Sequence, residues 1–338
     1  MTPASAPTVA VFGAGGYAGS LAARLLYEHP EFNLRHVTAR TDVGRRIDEL
    51  YPHHRVPIVL EEADIERHGD VDAAIVAYPH GAAAQFVAAL RGRGVRVVDL
   101  SADFRLRDRA TYEEWYLPHP EPQLLAGAVY GLPELYRERI AAAELVANPG
   151  CYPTATILAL APLARAGLLT DVVVDAKSGV SGAGRAASDK THFVTVDENV
   201  NAYGVPRHRH TPEIEQELTA LGSAVRITFT PHLLPLDQGE LVSCYATLSD
   251  PELTLDQLRE LYGEAYAGEP FIELATDPPG VRAVRETNIC RIAVFRDDRT
   301  GRVIVFSAID NLWKGTASQA LQNLNLMFGL PEGTGISR

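Results

Sequence analysis

One stretch near the start of the chain, Gly13-Ala14-Gly15-Gly16-Tyr17-Ala18-Gly19, restricts the fold more than any other. It follows an apolar run of strand composition, Thr8 to Phe12. It opens a segment of helical period from Tyr17 to Glu28, with Leu21, Leu25 and Leu26 on one face. Glycines there let the chain turn sharply from strand into helix and approach a diphosphate closely. The helix N-terminus adds N–H groups and a partial positive charge. Two registers fit: G-x-G-x-x-A at Gly13, Gly15 and Ala18, and G-x-x-G-x-x-G at Gly13, Gly16 and Gly19. A dinucleotide is the ligand that such a turn implies. Strand-like runs at Leu34 to Ala39, Ala73 to Ala77 and Val95 to Leu100, with an Ala-rich helical run from Gly81 to Leu90, predict a parallel sheet with crossover helices.

The pattern changes after about Pro149. Val172 to Ala176, Ala224 to Thr230, Leu241 to Leu248, Cys290 to Phe295 and Val303 to Ile309 read as longer strands without regular helices between them, so a mostly antiparallel sheet is expected. Asp256 to Tyr266 reads as a helix, and a last helical run, about Lys314 to Phe328, is expected to return to the first domain. The fold class expected is therefore α/β. A dinucleotide-binding domain spans 1–148 and 311–338, and an α+β catalytic domain spans 149–310. A length of 338 residues suits two such domains.

Charge excludes some partners. Lys and Arg number 31 against 43 Asp and Glu, a net charge of −12 without a basic block. Nucleic acid and anionic membrane are poor partners for such a chain. The longest uncharged stretch, Cys151 to Ala164, is too short and too broken by Pro153 and Pro162 to span a bilayer. Met1 to Ala10 shows no signal-peptide pattern. Three scattered cysteines make neither a disulfide framework nor a zinc motif. The expectation is a cytoplasmic protein without a metal.

Cys151 stands apart from Cys244 and Cys290, which lie in apolar strand runs and read as inert. The sequence Asn148-Pro149-Gly150 cannot be helix interior, and Ala155 to Leu163 has helical composition. Cys151 is thus expected at or just before a helix N-terminus, where N–H groups and the dipole favour a thiolate. A nucleophilic cysteine beside a nicotinamide cofactor suggests attack on an activated acyl group, a thioester, and its reduction to an aldehyde. After the second strand comes Arg40-Thr41, where NAD-type folds usually carry an acid. An Arg fork and a hydroxyl suit the 2′-phosphate of NADP(H), although Asp42 lies close behind.

The run Val146-Ala147-Asn148-Pro149-Gly150-Cys151-Tyr152-Pro153-Thr154-Ala155 resembles the active-site signature of the N-acetyl-gamma-glutamyl-phosphate reductase family of arginine biosynthesis, part of the aspartate-semialdehyde-dehydrogenase-like superfamily. Further matching segments are Pro79-His80-Gly81, Ser101-Ala102-Asp103-Phe104-Arg105, Ser181-Gly182-Ala183-Gly184-Arg185, His208-Arg209-His210-Thr211-Pro212-Glu213 and Asp310-Asn311-Leu312-Trp313-Lys314-Gly315. The resemblance covers essentially the whole chain. It implies a Rossmann-type NADP-binding domain and a catalytic and oligomerisation domain, hence a homo-oligomer, dimer or tetramer. The related reductase of carrier-linked lysine synthesis, which acts on an aminoadipyl phosphate, shares some segments. It lacks the Pro-Gly-Cys-Tyr-Pro and Ser-Gly-Ala-Gly-Arg runs present here. The chain departs from the family at Gln238, which stands where an Arg usually precedes Gly239. A cofactor-binding regulator without catalysis would have lost the cysteine or both histidines, and all three are present.

Collapse of a thiohemiacetal needs a group titrating near neutrality, for which histidine is the default. His208 and His210 are the candidates, with His210, beside the Thr-Pro-Glu helix start, preferred. Arg105, with Ser101 nearby in sequence, and Arg185 are candidates for the acyl phosphate. The resemblance further implies cofactor contacts at Gly13, Gly15, Gly16, Tyr17, Ala18, Gly19, Pro79, His80, Ser181, Gly182 and Asn311.

Overall fold

The computed structural model describes residues 6–337. The first five residues, part of the stretch read for a signal peptide, and Arg338 lie outside the described residues. Contacts divide the chain into two compact units, one running to Pro149 and including Thr316–Ser337, the other Gly150–Gly315.

The first unit is built on strands β1 (Thr8–Phe12), β2 (Asn33–Ala39), β3 (Glu61–Glu62), β4 (Ala73–Val76), β5 (Arg96–Asp99), β6 (Ala128–Tyr130) and β7 (Leu145–Ala147), ordered β3-β2-β1-β4-β5-β7-β6. Every neighbouring pair is parallel. Parallel strands joined by helices are covered on both faces, which is why β1 and β4 are uninterrupted apolar runs, with Val9 to Phe12 and Ala73 to Val76 all fully buried. Helix Ala84–Gly92 closes a core that includes Phe12, Val76, Val87, Leu90 and Val97. The helix Ser318–Met327 is buried along its whole length against helices Tyr17–Tyr27 and Pro133–Ala141. Among its buried amides, Asn323 Nδ2 donates to the Gly131 carbonyl at 2.9 Å and to Asn148 Oδ1 at 3.0 Å. Strand order reverses between β1 and β4, so their carboxyl ends border the crevice where open α/β sheets take ligands.

The second unit opens on the helix Cys151–Arg165 and continues with β8 (Leu169–Gly179), β9 (Asn201–Ala202), β10 (Ile227–Leu234), β11 (Glu240–Leu248), β12 (Ile272–Ala275), β13 (Cys290–Asp297) and β14 (Arg302–Ile309). The order is β12-β13-β14-β11-β8-β10-β9. The sheet is mostly antiparallel, as expected, with parallel pairs at β8/β10 and β12/β13. The opening helix packs on β11, β14 and β8 and against helices Thr211–Leu221 and Leu255–Ala265, so Tyr152 to Ala164 are all buried. Pro162 lacks the N–H that the Leu158 carbonyl would accept, and the hydroxyl of Tyr266 donates to that carbonyl instead.

Candidate active site

The glycine turn of the first unit has the shape that its sequence implies. Gly13 has φ +93, and a Cβ there would lie 2.6 Å from the Ala77 carbonyl oxygen, so only glycine fits. Its N–H and that of Ala14 donate to the Thr38 carbonyl at 3.0 and 2.8 Å, and the Tyr51 hydroxyl donates to Gly15 O at 2.8 Å. Gly16 is the N-cap of the helix Tyr17–Tyr27 and carries no capping side chain, so the helix end remains available to an anion. At the end of β2 the exposed Arg40 lies over the Tyr78 ring, 5.1 Å from its centroid. Both residues, with Ala39, Glu62, Ala63, Ala82 and Phe86, line a cavity of about 270 Å³. Thr41 and the Pro79-His80 turn are exposed, and the His80 ring lies 5.6 Å from that of Tyr116. These residues suit a dinucleotide.

In the second unit Cys151 is the first residue of its helix, with Gly150 as N-cap in extended geometry. The Gly150 N–H donates to Glu213 Oε1 at 3.0 Å, which ties the starts of helices Cys151–Arg165 and Thr211–Leu221 together. His210 caps the second of these helices. The Tyr152 ring stands between the two histidines, 5.9 Å from His208 and 6.0 Å from His210. Tyr203 joins the group, its hydroxyl donating to Tyr152 Oη at 3.3 Å. Gly315 packs against Cys151, where a Cβ would come within 2.8 Å of Cys151 Cβ.

The histidines differ in character. His208 packs against Tyr152, Tyr203 and Phe229 and accepts the His210 backbone N–H on Nδ1 at 3.2 Å. Burial, reinforced by Arg209, pushes its pKa down to about 4. It is therefore a neutral, packed imidazole at neutral pH, which leaves His210 as the better acid–base candidate.

Other sequence candidates fall into two groups. Ser181, Gly182 and Asn311 come together: Asn311 Nδ2 donates to Ser181 Oγ at 3.0 Å and Asn311 Oδ1 accepts the Gly239 N–H at 2.7 Å. A Cβ on Gly182 would lie 3.6 Å from that same amide nitrogen. Arg185 is exposed just beyond the tight turn Val180–Ala183. Arg105 and Ser101 belong to the first unit. Arg105 is buried, with Nε donating to the Asn148 carbonyl at 2.8 Å and Nη2 to the Leu100 carbonyl at 2.7 Å. Ser101 Oγ donates to Asp99 at 2.6 Å. Arg105 thus braces the turn that leads to Cys151.

Glu213, quoted in a matching segment but given no role, and Glu240, which the sequence pattern does not single out, lie beside the start of the Cys151 helix. The signal for Glu240 is an acid directly before an apolar strand run. Elsewhere, His36, Glu61 and His68 offer ligand atoms within 4.8 Å of one another. Because His68 Nδ1 accepts the Asp64 N–H at 3.2 Å, its proton sits on Nε2, directed at Glu61 Oε2 at 2.5 Å, so this is a bonded pair and not an open metal site. No helix among the described residues is long and apolar enough to cross a membrane.

A glycine turn on a parallel sheet and a cysteine at the start of a helix packed on a mixed sheet suit a semialdehyde dehydrogenase, and the family models show that class. The chain matches that family's NAD binding domain over residues 8–143 and its dimerisation domain over residues 151–311. It is 50% identical over 342 residues to the N-acetyl-gamma-glutamyl-phosphate reductase of Desulforudis audaxviator, covering 97% of each chain. With that of Moorella thermoacetica it shares 49% over 333 residues, covering 95% of each. The chain belongs to the N-acetyl-gamma-glutamyl-phosphate reductases of the semialdehyde dehydrogenase family. Among solved structures, aspartate semialdehyde dehydrogenase II of Vibrio cholerae, complexed with ASA, is similar with a TM-score of 0.74 at 18% identity, covering 96% of this chain and 99% of that one. Aspartate semialdehyde dehydrogenase with NADP from Candida albicans gives 0.72 at 14%, with 96% and 99% covered. At such identity the likeness establishes the fold alone.

Proposed function

We propose that the protein reduces N-acetyl-L-glutamyl 5-phosphate to N-acetyl-L-glutamate 5-semialdehyde and phosphate with NADPH, the reductive step of arginine biosynthesis. The observation that carries this reading is Cys151 as first residue of a buried helix, tied to the His210 helix through Gly150 and Glu213. The helix N-terminus favours the thiolate, which attacks the acyl carbon as the C–O bond to phosphate breaks. The cofactor supplies a hydride when bound. Gly13, Gly15, Gly16, Tyr17, Ala18 and Gly19 would hold its diphosphate, Arg40 and Thr41 its 2′-phosphate, and Pro79 and His80 its neighbouring groups. His210 protonates or deprotonates the thiohemiacetal oxygen as the aldehyde forms. Arg185 is the cation assigned to the acyl phosphate, Arg105 holds the preceding turn through the Asn148 carbonyl, and Ser101 is bonded to Asp99. Ser181, Gly182 and Asn311 are further residues assigned to the cofactor, with Asn311 bonded to Ser181.

A homo-oligomer, dimer or tetramer, is part of this reading. The sheet face turned away from the Cys151 helix carries Val173, Tyr245, Ile304, Phe306 and Phe295, half-buried and in cross-strand register. A second copy is the partner that such a face suits. A nucleophilic thiol needs reducing surroundings, and so we place the protein in the cytoplasm. The decisive assay is NADP reduction with N-acetylglutamate semialdehyde and phosphate, beside aminoadipate and aspartate semialdehydes. Strong preference for the first is expected, and Cys151→Ser should abolish turnover. Preference for another semialdehyde, or substantial activity in that variant, overturns the reading.

A further inference from the structure

We propose that Glu240 is the proton partner of the Cys151 thiol, a buried carboxyl that receives the Sγ proton as the nucleophile attacks. The inference rests on the reading of Cys151 as nucleophile. Glu240 is fully buried at the start of β11, between Ser178 of β8 and Ile309 of β14. Neither carboxyl oxygen has a hydrogen-bond partner of full geometry among the described residues. An unpaired buried carboxyl is costly, and positions that keep one generally use it. The group within its reach is the Cys151 thiol, whose helix packs directly on β11.

The surroundings show what this carboxyl can do. The groups that act on it are the Cys151 thiol, whose nearness favours the carboxylate, and Asp310 after β14, which disfavours it. The Tyr152 and Tyr203 phenols feel both Glu240 and Cys151, and their own ionisation is pushed far up. Burial dominates and raises the Glu240 pKa to about 8. Two negative charges in one desolvated site repel each other strongly, so thiolate and carboxylate do not coexist at neutral pH. The competent form holds one proton shared by the pair. In the forward step the S–H bond breaks and an O–H bond forms on Glu240. The C–S bond then forms as phosphate leaves with the electron pair of the C–O bond. When the thiohemiacetal collapses, the C–S bond breaks and the thiolate takes the proton back.

The test reads Cys151 directly and needs no substrate, so its failure is separable from failure of the assigned reaction. Cys244 and Cys290 are fully buried, and the rate of iodoacetamide alkylation, corrected with Cys151→Ala, reports the Cys151 thiolate. The intact enzyme should show two ionisation steps in the alkylation rate against pH. The first is loss of one proton from the pair, the second formation of a thiolate beside a carboxylate. Glu240→Gln should show one step, below the second step of the parent, and kcat should fall by about 10²–10⁴-fold, the usual cost of a lost general base. Glu240→Asp should restore part of the rate and the second step. A single step in the unsubstituted enzyme overturns the proposal without any variant. So does a Glu240→Gln protein that keeps the parent alkylation profile and kcat.

Discussion

At position 151 the backbone passes from an Asn-Pro-Gly turn into a helix, and that change of geometry sets one cysteine of three apart from the other two. Cys244 sits in the middle of β11, where burial pushes its thiol up to about 12, so it stays protonated. The two histidines nearby diverge for a similar reason. His208 is enclosed by rings, whereas His210 caps a helix and meets Tyr152 by one edge contact. His210→Asn should lower kcat by about 10²–10⁴-fold, the range for loss of an acid–base group. His208→Asn should mainly affect packing and leave the shape of the pH–rate profile unchanged. Steady-state kinetics across pH decides, and a larger kcat loss in His208→Asn would reverse the assignment. His208 also carries a stability consequence. Its folded pKa, about 4, lies below the ordinary 6.5, so protons bind the unfolded chain preferentially as pH falls. The stability that it contributes is complete above about pH 6.5 and is lost progressively toward pH 4. Thermal midpoints of His208→Phe should therefore fall less steeply over that window than those of the parent.

Among elements, the helix Cys151–Arg165 carries the most constraint, because it holds Cys151 at one end and a proline near the other. Pro162 deprives the Leu158 carbonyl of its helical donor, and Tyr266 supplies one from the helix Leu255–Ala265 and its C-cap. The neighbouring Tyr262 donates to the Ala159 carbonyl at 2.5 Å, but that carbonyl can still be served by Leu163 N–H. Tyr266→Phe should then cost about 1–3 kcal/mol, the penalty for a buried polar group left unsatisfied. Tyr262→Phe should cost less, and urea unfolding of both measures the difference. The loop after β2 is the second element with a sharp consequence. Arg40→Ala should raise the KM for NADPH about tenfold or more, as loss of a charge-assisted bond to phosphate implies, and barely alter that for NADH. An equal loss with both cofactors in initial-rate kinetics refutes the NADP assignment. The Gly13–Gly19 turn and the Cys151 turn were legible because glycine and proline fix the backbone locally. Glu240 was not: its burial beside Cys151 arises from β11 pairing with β8 and β14, through partners Ser178 and Ile309 that lie 62 and 69 residues away in sequence. Short strands such as β6 and β7 were also hidden, since three residues carry too little periodicity to distinguish them.

At the scale of the molecule, the change in pattern near Pro149 was readable because the two sheets bury their strands differently. β1 and β4 are covered on both faces and read as solid apolar runs, whereas β8, β11, β13 and β14 alternate. What the alternation conceals is that the outer face is itself apolar. On β14, Val303 and Val305 point to the Cys151 helix side and are fully buried, while Ile304 and Phe306 between them are only half-buried. Their cross-strand neighbours are Tyr245 opposite Ile304 on β11, and Phe295 and Ala293 on β13. The ring centroids of Phe295 and Phe306 lie 5.8 Å apart in an edge contact. A contiguous row of aromatic and branched side chains facing outward marks an association surface. If a second copy covers it, a charge introduced at its centre must be desolvated without a partner, which disfavours association. The double variant Ile304→Glu with Phe306→Glu should therefore sediment with the mass of one chain under conditions where the parent is an oligomer. Arg302→Glu, at the exposed start of the same strand, should leave the mass unchanged. Circular dichroism on the double variant confirms that the fold persists. If the double variant is folded yet keeps the parent's mass in sedimentation velocity, this face is not the interface.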